Sequence, residues 1–468
     1  MKILLVQPNI DTCYEYASTL GVRNLFLLCK DSHDAEFYDA STDSYNHAIK
    51  KILKKEYDII GISAQFTNAI PYCIDYAKEI KKHYPSTIII GGGNHATMAP
   101  EDLLNNNFDY VVRGEGELTF LELLNALDNK KDCAQVNGIA FLQNGQIRQT
   151  PPREIIQDLD SLPVIHPDSF DDVRINNFAG IKYLNIETSR GCPYNCSFCT
   201  TSLMWGHQYR YKSAERVLLE FKLAKEHHVN FIWLVDDDTA LNEERLREMC
   251  SLLIKENAQV PWATTINCIS IKQPSTYKLM RESGCIKINI CLESANERIL
   301  REYRKPFKLR DVINCYNQLH ENNILVHNHG IIGLPGEKCV ETLRTYYYLM
   351  RNSDMWHVTI LEPRPGNDYW DNWDGKHNIS EYMKFGKANI ILNYRKFFYY
   401  SIYRFFCVIY FFNPFRIYKA LFLKPAVIRY NYWIQYFVAY KILQANFRRV
   451  IKTKFRALRI NSSKMSGQ

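Results

Sequence analysis

Three thiols fall within eight residues in the stretch Ser189-Arg190-Gly191-Cys192-Pro193-Tyr194-Asn195-Cys196-Ser197-Phe198-Cys199, at spacing C-x-x-x-C-x-x-C. Gly191, Pro193 and Asn195 interrupt any helical or strand pattern, so the stretch reads as a loop that can wrap around a ligand. Thiolates are soft ligands that suit iron–sulfur clusters and zinc. A cubane cluster usually takes four Cys ligands, so a loop offering three leaves one iron for an outside ligand. Three reduced thiols, or a zinc loop completed by a distant His or Cys, fit the same spacing.

Other stretches carry groups of the right type. Asp236-Asp237-Asp238 follows Leu234-Val235 and suits a divalent metal, a helix N-terminus or plain solvation. Glu293, in Cys291-Leu292-Glu293-Ser294, reads by itself as a helix N-cap carboxylate. Gly330-Ile331-Ile332-Gly333-Leu334-Pro335-Gly336-Glu337 reads as a strand-to-helix connection. Near the N-terminus, Gly61–Gln65, Gly91–His95 and Arg113–Glu117 are turn-rich. Glycine there lets a backbone approach a flat or anionic ligand, or simply makes a tight turn. The other Cys, among them Cys250, Cys268, Cys285, Cys291 and Cys315, show no second cluster spacing. Fourteen mostly scattered Cys in 468 residues fit a reducing cytoplasm rather than a disulfide framework.

The elements that must hold these residues alternate between strand and helix. Lys2–Gln7, Glu36–Ala40, Tyr57–Ala64, Ser86–Gly91 and Tyr110–Arg113 are β-rich, with helical periodicity at Tyr45–Lys55, Ala69–His83 and Glu117–Leu127. Such alternation predicts an α/β fold with a doubly wound, Rossmann-like parallel sheet, which binds ligands at the carboxyl ends of its strands. Asn144-Gly145, between Ile139–Leu142 and Gln146–Arg148, predicts a hairpin, and Pro151–Pro163 reads as a linker. The alternation resumes with strands at Tyr183–Glu187, Phe231–Val235, Ala263–Asn267, Ile286–Leu292, Leu325–Ile332 and Val358–Leu361. Helices are expected at Ser213–His227, with Ser213 as N-cap, and at Leu241–Lys255. Six β/α units are too few for an eight-unit barrel. The domains read as 1–130, a hairpin and linker at 131–175, a partial barrel at 176–375 and a helical tail at 376–468.

Cys192, Cys196 and Cys199, with Phe198 before the last Cys, resemble the signature of the radical S-adenosylmethionine (SAM) enzymes. That resemblance implies a partial (β/α)6 TIM-type barrel and a [4Fe–4S] cluster held by the three Cys. The amino and carboxylate groups of SAM would take the fourth iron, and one electron would cleave SAM to a 5′-deoxyadenosyl radical. It also implies that Phe198, Asp236, Asp237, Glu293, Gly333 and Pro335 border SAM. Ser63, then Gly91-Gly92-Gly93, then Arg113-Gly114-Glu115-Gly116-Glu117 resemble the cobalamin-binding domain that precedes many such enzymes. Ser63, Gly91, Gly92 and Gly93 would then border the nucleotide tail of cobalamin, and Glu115, Gly116 and Glu117 the corrin face. One departure stands out: Asn9–Tyr14 lacks the D-x-H-x-x-G motif that supplies a lower cobalt ligand, and His33 reads as a surface residue. Asp158-Leu159-Asp160-Ser161-Leu162-Pro163 resembles the family's interdomain phrase.

Charge is unevenly distributed. Residues 382–468 hold 17 of the 58 Lys and Arg and no Asp or Glu, leaving 41 basic against 50 acidic residues in the rest. Phe397–Phe412 and Ile428–Leu443 are aromatic but too short and interrupted for a comfortable membrane span. Such a tail suits a helical cap over the barrel, a peripheral contact on the inner face of the membrane or, least of the three, nucleic acid. The expectation is a cytoplasmic enzyme that acts on a small-molecule or lipid-like substrate, with a flavodoxin or ferredoxin as electron donor. The reaction implied is cobalamin-dependent methylation of an unactivated carbon or phosphorus. A cyclase or oxidoreductase of the same class, and a non-catalytic cobalamin or cluster sensor, are the alternatives.

Overall fold

The computed structural model describes residues 1–9, 19–41, 43–164, 175–176 and 181–382. In the first strand, β1 (Lys2–Gln7), five consecutive side chains are buried, as a parallel strand covered on both faces requires. It nucleates a seven-stranded sheet with β2 (Asp34–Asp39), β3 (Ile59–Ser63), β4 (Ile88–Gly92), β5 (Tyr110–Val112), β6 (Ile139–Gln143) and β7 (Gln146–Gln149). The order is β2-β1-β3-β4-β5-β6-β7. The first five strands are parallel. The chain order reverses between β1 and β3, which places a ligand crevice outside their carboxyl ends.

Two boundaries differ from the sequence reading. The hairpin forms as expected, with Asn144 and Gly145 both at positive φ. It is not a connector, however: β6 pairs antiparallel with β5, Tyr110 opposite Phe141, and extends the front sheet. The stretch after the barrel also returns to the front domain. Trp370 and Tyr382 pack into the core formed by Val6, Ile62, Ala64 and Tyr76. Buried Asp102 anchors it, accepting from the Tyr382 hydroxyl at 2.6 Å and lying 2.9 Å from Nδ1 of His377 and 3.0 Å from Nε2 of His95. The first part of the expected 376–468 tail, through Tyr382, thus packs with the front domain, and residues 383–468, with the cap, membrane and nucleic-acid expectations for them, lie outside the described residues.

The second sheet adds β8 (Ile175–Asn176), β9 (Ile181–Ile186), β12 (Phe231–Leu234), β13 (Trp262–Ile266), β14 (Cys285–Glu293), β15 (Leu325–Ile332) and β16 (Met355–Ile360). Its order is β16-β15-β14-β13-β12-β9-β8. The six strands from β9 to β16 are parallel, giving the expected six-unit partial barrel. Between β9 and β12, the two-residue strands β10 (Ser189–Arg190) and β11 (Arg210–Tyr211) pair across the thiol loop. Helix Ala214–Glu226 starts where expected, Ser213 accepting from the Arg216 N–H. The linker is tied to it: Arg216 donates to the carbonyls of Asp160 and Leu162, and the Ser213 N–H to the Asp160 carboxylate. Among the described residues, no helix is long and apolar enough to cross a membrane.

Candidate functional site

The thiol loop follows β9 at the carboxyl end of the barrel strands, where barrel folds gather chemistry. Its entry is pinned by Asp236, just beyond β12. One carboxylate oxygen accepts from the N–H groups of Thr188 at 2.6 Å and Ser189 at 3.0 Å, and the other from the Thr188 hydroxyl. Arg245 grips the Thr188 hydroxyl and carbonyl, each at 3.0 Å. Asp237 accepts from the Gly191 N–H at 3.1 Å. Gly191 is required twice over, by its φ of +95° and because a Cβ would overlap the Gln208 carbonyl oxygen. The far side is tied by Ser197 N–H to the Tyr303 carbonyl (3.1 Å) and by Asn367 Nδ2 to the Phe198 carbonyl (3.1 Å). Cys192, Cys196 and Cys199 form no disulfides and are partly buried. Burial pushes the Cys192 thiol up to about 12, with Asp238, Asp237 and Cys199 adding to the rise. Cys196 also rises, through burial and then Cys199 and Glu293, against Lys305.

Glu293 ends β14 at φ +67°, a conformation a non-glycine residue holds only where surroundings enforce it. Its buried carboxylate lies 3.2 Å from Lys305 Nζ, whose ammonium sits 5.1 Å from the Phe198 ring centroid. The following helix, Glu297–Glu302, is entered through Asn296, so Glu293 is not its N-cap. Gly333, at φ +88°, donates to the Glu337 carboxylate at 2.6 Å, as does Leu334 at 3.2 Å, which fixes the turn through Pro335. Phe198 packs against the cluster of Ile299, Tyr303, Leu334 and Leu361. The loop, Asp237, Glu293 and the Gly333–Pro335 turn thus lie at one end of the barrel. Asp236 is turned inward as an anchor for Thr188 and Ser189.

In the front domain Ser63 and Gly91–Gly93 end adjacent strands, paired Ser63 with Gly92. Gly93 has φ +111°, and a Cβ there would lie 2.9 Å from the Gln65 backbone nitrogen. Gly91 serves the core instead, because a Cβ would strike Leu103 and Phe108. The carboxylates of Glu115 and Glu117 face the thiol loop. Arg190, two residues before Cys192, donates to Glu115 at 2.7 Å and to Glu117 at 2.6 Å, all three side chains being buried. Arg210 adds 3.0 Å bonds to both oxygens of Glu115. The two guanidinium groups lie 5.5 and 5.6 Å from the Trp205 ring centroid.

The family model for the Radical SAM superfamily matches residues 186–345, and that for the B12 binding domain matches residues 7–124. The chain is 31% identical over 384 residues to the uncharacterized methyltransferase PH0819 of Pyrococcus horikoshii, covering 79% of this chain and 83% of that protein. It is 28% identical to the anaerobic magnesium-protoporphyrin IX monomethyl ester cyclase of Rubrivivax gelatinosus, covering 77% and 66% respectively. The fold matches the radical SAM methyltransferase TsrM from Kitasatospora setae, solved with tryptophan and a SAM analogue, at TM-score 0.65 and 16% identity over 76% of this chain and 72% of that one. The chain belongs to the radical SAM superfamily, in the group with a B12-binding domain in front.

A radical SAM enzyme of this group uses a [4Fe–4S] cluster, SAM and cobalamin, and the residues fit all three. The three thiols sit on a loop backed by Asp236 and Asp237, and at Cys192 and Cys196 burial retains the proton that a metal must displace. At the end of β1, Gln7 is buried with neither amide atom hydrogen-bonded among the described residues. An unpaired amide there, beside the crevice at the strand ends, suits an amide-rich ligand such as cobalamin. His33 lies before β2, at the opposite end of the sheet from that crevice. Sequence reasoning missed Arg190, Arg210, Lys305 and Asp102. Arg190 lay inside the thiol motif, but its partners are 73 and 75 residues away.

Proposed function

We infer that this radical SAM enzyme is a cobalamin-dependent methyltransferase acting on an unactivated carbon or phosphorus of a small-molecule or lipid-like substrate. The observation that carries this reading is the buried clamp of Arg190 on Glu115 and Glu117. It ties the loop that holds the cluster to the B12-binding domain, so the two cofactor sites are built as one unit. The similarity to a methyltransferase across 83% of that protein's length supports the same reading. When bound, the cluster supplies the electron that splits SAM, and cobalamin supplies a carrier for a methyl group.

The chain's own residues position, shield and balance charge. Cys192, Cys196 and Cys199 hold the cluster. Asp237, Glu293, Phe198, Gly333 and Pro335 border SAM, and Asp236 sets the loop from behind. Phe198, Tyr303, Leu334 and Leu361 keep water from the reacting end. Lys305, charged through its pairing with Glu293, offsets the negative charge of the thiolates beside it. Ser63, Gly92 and Gly93 border the cobalamin tail, while Glu115 and Glu117 reach the site through Arg190. A flavodoxin or ferredoxin delivers the electron.

The test uses the full chain with reconstituted cluster, cobalamin and SAM labelled in its methyl group. Label moving to bound cobalamin, and loss of SAM cleavage in Cys196→Ala, are expected. SAM cleavage with the label left on methionine would replace this reading by the cyclase or oxidoreductase class.

A further inference from the structure

The barrel holds a second set of ligand-type side chains that the thiol loop does not use. His327 and His329 alternate along β15, and His357 stands beside His329 in the ladder with β16. Residues two apart on a strand share a face. The opposite face of β15 belongs to the outer helices, since a Cβ on Gly330 would meet Leu349 and Thr345 of helix Cys339–Asn352. The three imidazoles therefore enter the concave side of the sheet, and there they meet. Ring centroids are 3.9 Å apart for His329 and His357, 4.8 Å for His327 and His329, and 5.3 Å for His327 and His357.

The nitrogen atoms converge as well. One ring nitrogen from each residue fits within 4.8 Å of the other two. Nδ1 of His357 and Nε2 of His327 lie 3.2 Å apart. Two nitrogens on one tetrahedral metal, each about 2.0–2.1 Å from it, are separated by about 3.3 Å. Nε2 of His329 is shielded from solvent and makes no hydrogen bond among the described residues, which is a cost for a ring that only packs. Burial, and then the neighbouring histidines and lysines, push His327 and His329 well below the usual imidazole range; burial takes His357 to about 4. Neutral imidazole is the ligating form.

We propose that His327, His329 and His357 form a three-histidine site for a divalent first-row transition metal of the zinc or iron(II) type. Imidazole suits these ions, and three protein ligands leave a fourth position for an oxygen or sulfur donor. The next residue on the same face, Ile331, packs against the cluster of Ile299, Tyr303, Leu334 and Leu361 that Phe198 of the thiol loop also packs against. Positive charge opposes the metal from Lys287 on β14, whose ammonium sits 4.7 Å from the Trp233 ring centroid and which burial pushes down to about 7, and from Lys305, which also bears on His329. The site stands independently of methyl transfer.

The experiment takes the full chain with its reconstituted cluster, strips adventitious metal, and titrates Zn2+, with elemental analysis after gel filtration. Visible absorption of Co2+ reports the coordination. One Zn2+ per chain beyond the cluster iron is expected. His329→Gln and His357→Gln should each weaken it by about 100-fold or more, with iron content unchanged. Lys287→Met should bind zinc as tightly as the parent or more tightly. Zinc binding unaltered in both His variants overturns the proposal. So does zinc lost on Lys287→Met, or zinc that disappears when Cys192, Cys196 and Cys199 are all replaced by Ala. If one His variant also loses iron through misfolding, the other decides.

Discussion

Asp236, Asp237 and Asp238 are consecutive, and their environments give them three different tasks. Asp236 holds Thr188 and Ser189, Asp237 holds Gly191, and Asp238 accepts from the Ser270 hydroxyl at 2.6 Å. Asp236→Ala leaves buried donors unpaired at about 1–3 kcal/mol each, so a lower Tm and poorer iron retention are expected. Unchanged values of both would remove the anchoring role. Asp237→Asn should keep iron and Tm near the parent's while weakening SAM binding, measured by equilibrium dialysis. Burial raises Asp238 to about 7, outweighing its hydrogen bonds. Its folded pKa lies above the unfolded value, so the unfolded chain releases that proton first and stability falls as pH rises from about 4 to 7. Asp238→Asn should therefore stabilise the apoprotein by more than about 1 kcal/mol at pH 8 and give no such gain at pH 4; denaturant titration at the two pH values measures it. The triple Asp was legible in the sequence as a group facing one end of a strand. Which carboxylate points outward was not, because Thr188 and Ser189 are 47 or 48 residues away.

At the scale of elements, parallel strands were legible because runs such as Ile59–Ser63 are apolar on both faces, and the six barrel strands fell where apolar runs predicted them. Helix Leu20–Cys29 was not foreseen: it has no side-chain N-cap and no acidic first turn, the signals that mark a helix start. The hairpin was legible from Asn144-Gly145, but its pairing with β5 was not, since nothing local names the partner edge. The histidine pair on β15 went unread although His327 and His329 stand two apart, and His357 joins them only through the ladder. The seam between domains carries the sharpest prediction at this scale. Burial works against the charge on Glu117, yet Arg190 outweighs it and holds the carboxyl below its usual range. Removing Glu117 takes one charge-assisted bond, about 1.5–3 kcal/mol, from Arg190, which keeps Glu115 and Glu187 as partners. Glu117→Ala should lower the Tm and speed iron loss from a loop some 75 residues away in sequence; a Tm within error of the parent's would contradict the clamp.

At the scale of the whole molecule, the front sheet, the barrel and the returning segment around Trp370–Tyr382 fall in one compact unit, and the residues proposed to hold the cofactors sit at strand carboxyl ends. The thiol spacing and glycine turns made the cofactors legible only through the family resemblance they carry; the substrate is not written there, because specificity depends on side chains brought together across the barrel. Whether the protein transfers methyl groups is decided by reducing the reconstituted full chain with SAM, with and without cobalamin, and quantifying 5′-deoxyadenosine and S-adenosylhomocysteine together. Both products, with cobalamin retained through gel filtration, are the predicted result. Deoxyadenosine alone, with no cobalamin retained, would contradict the methyltransferase account.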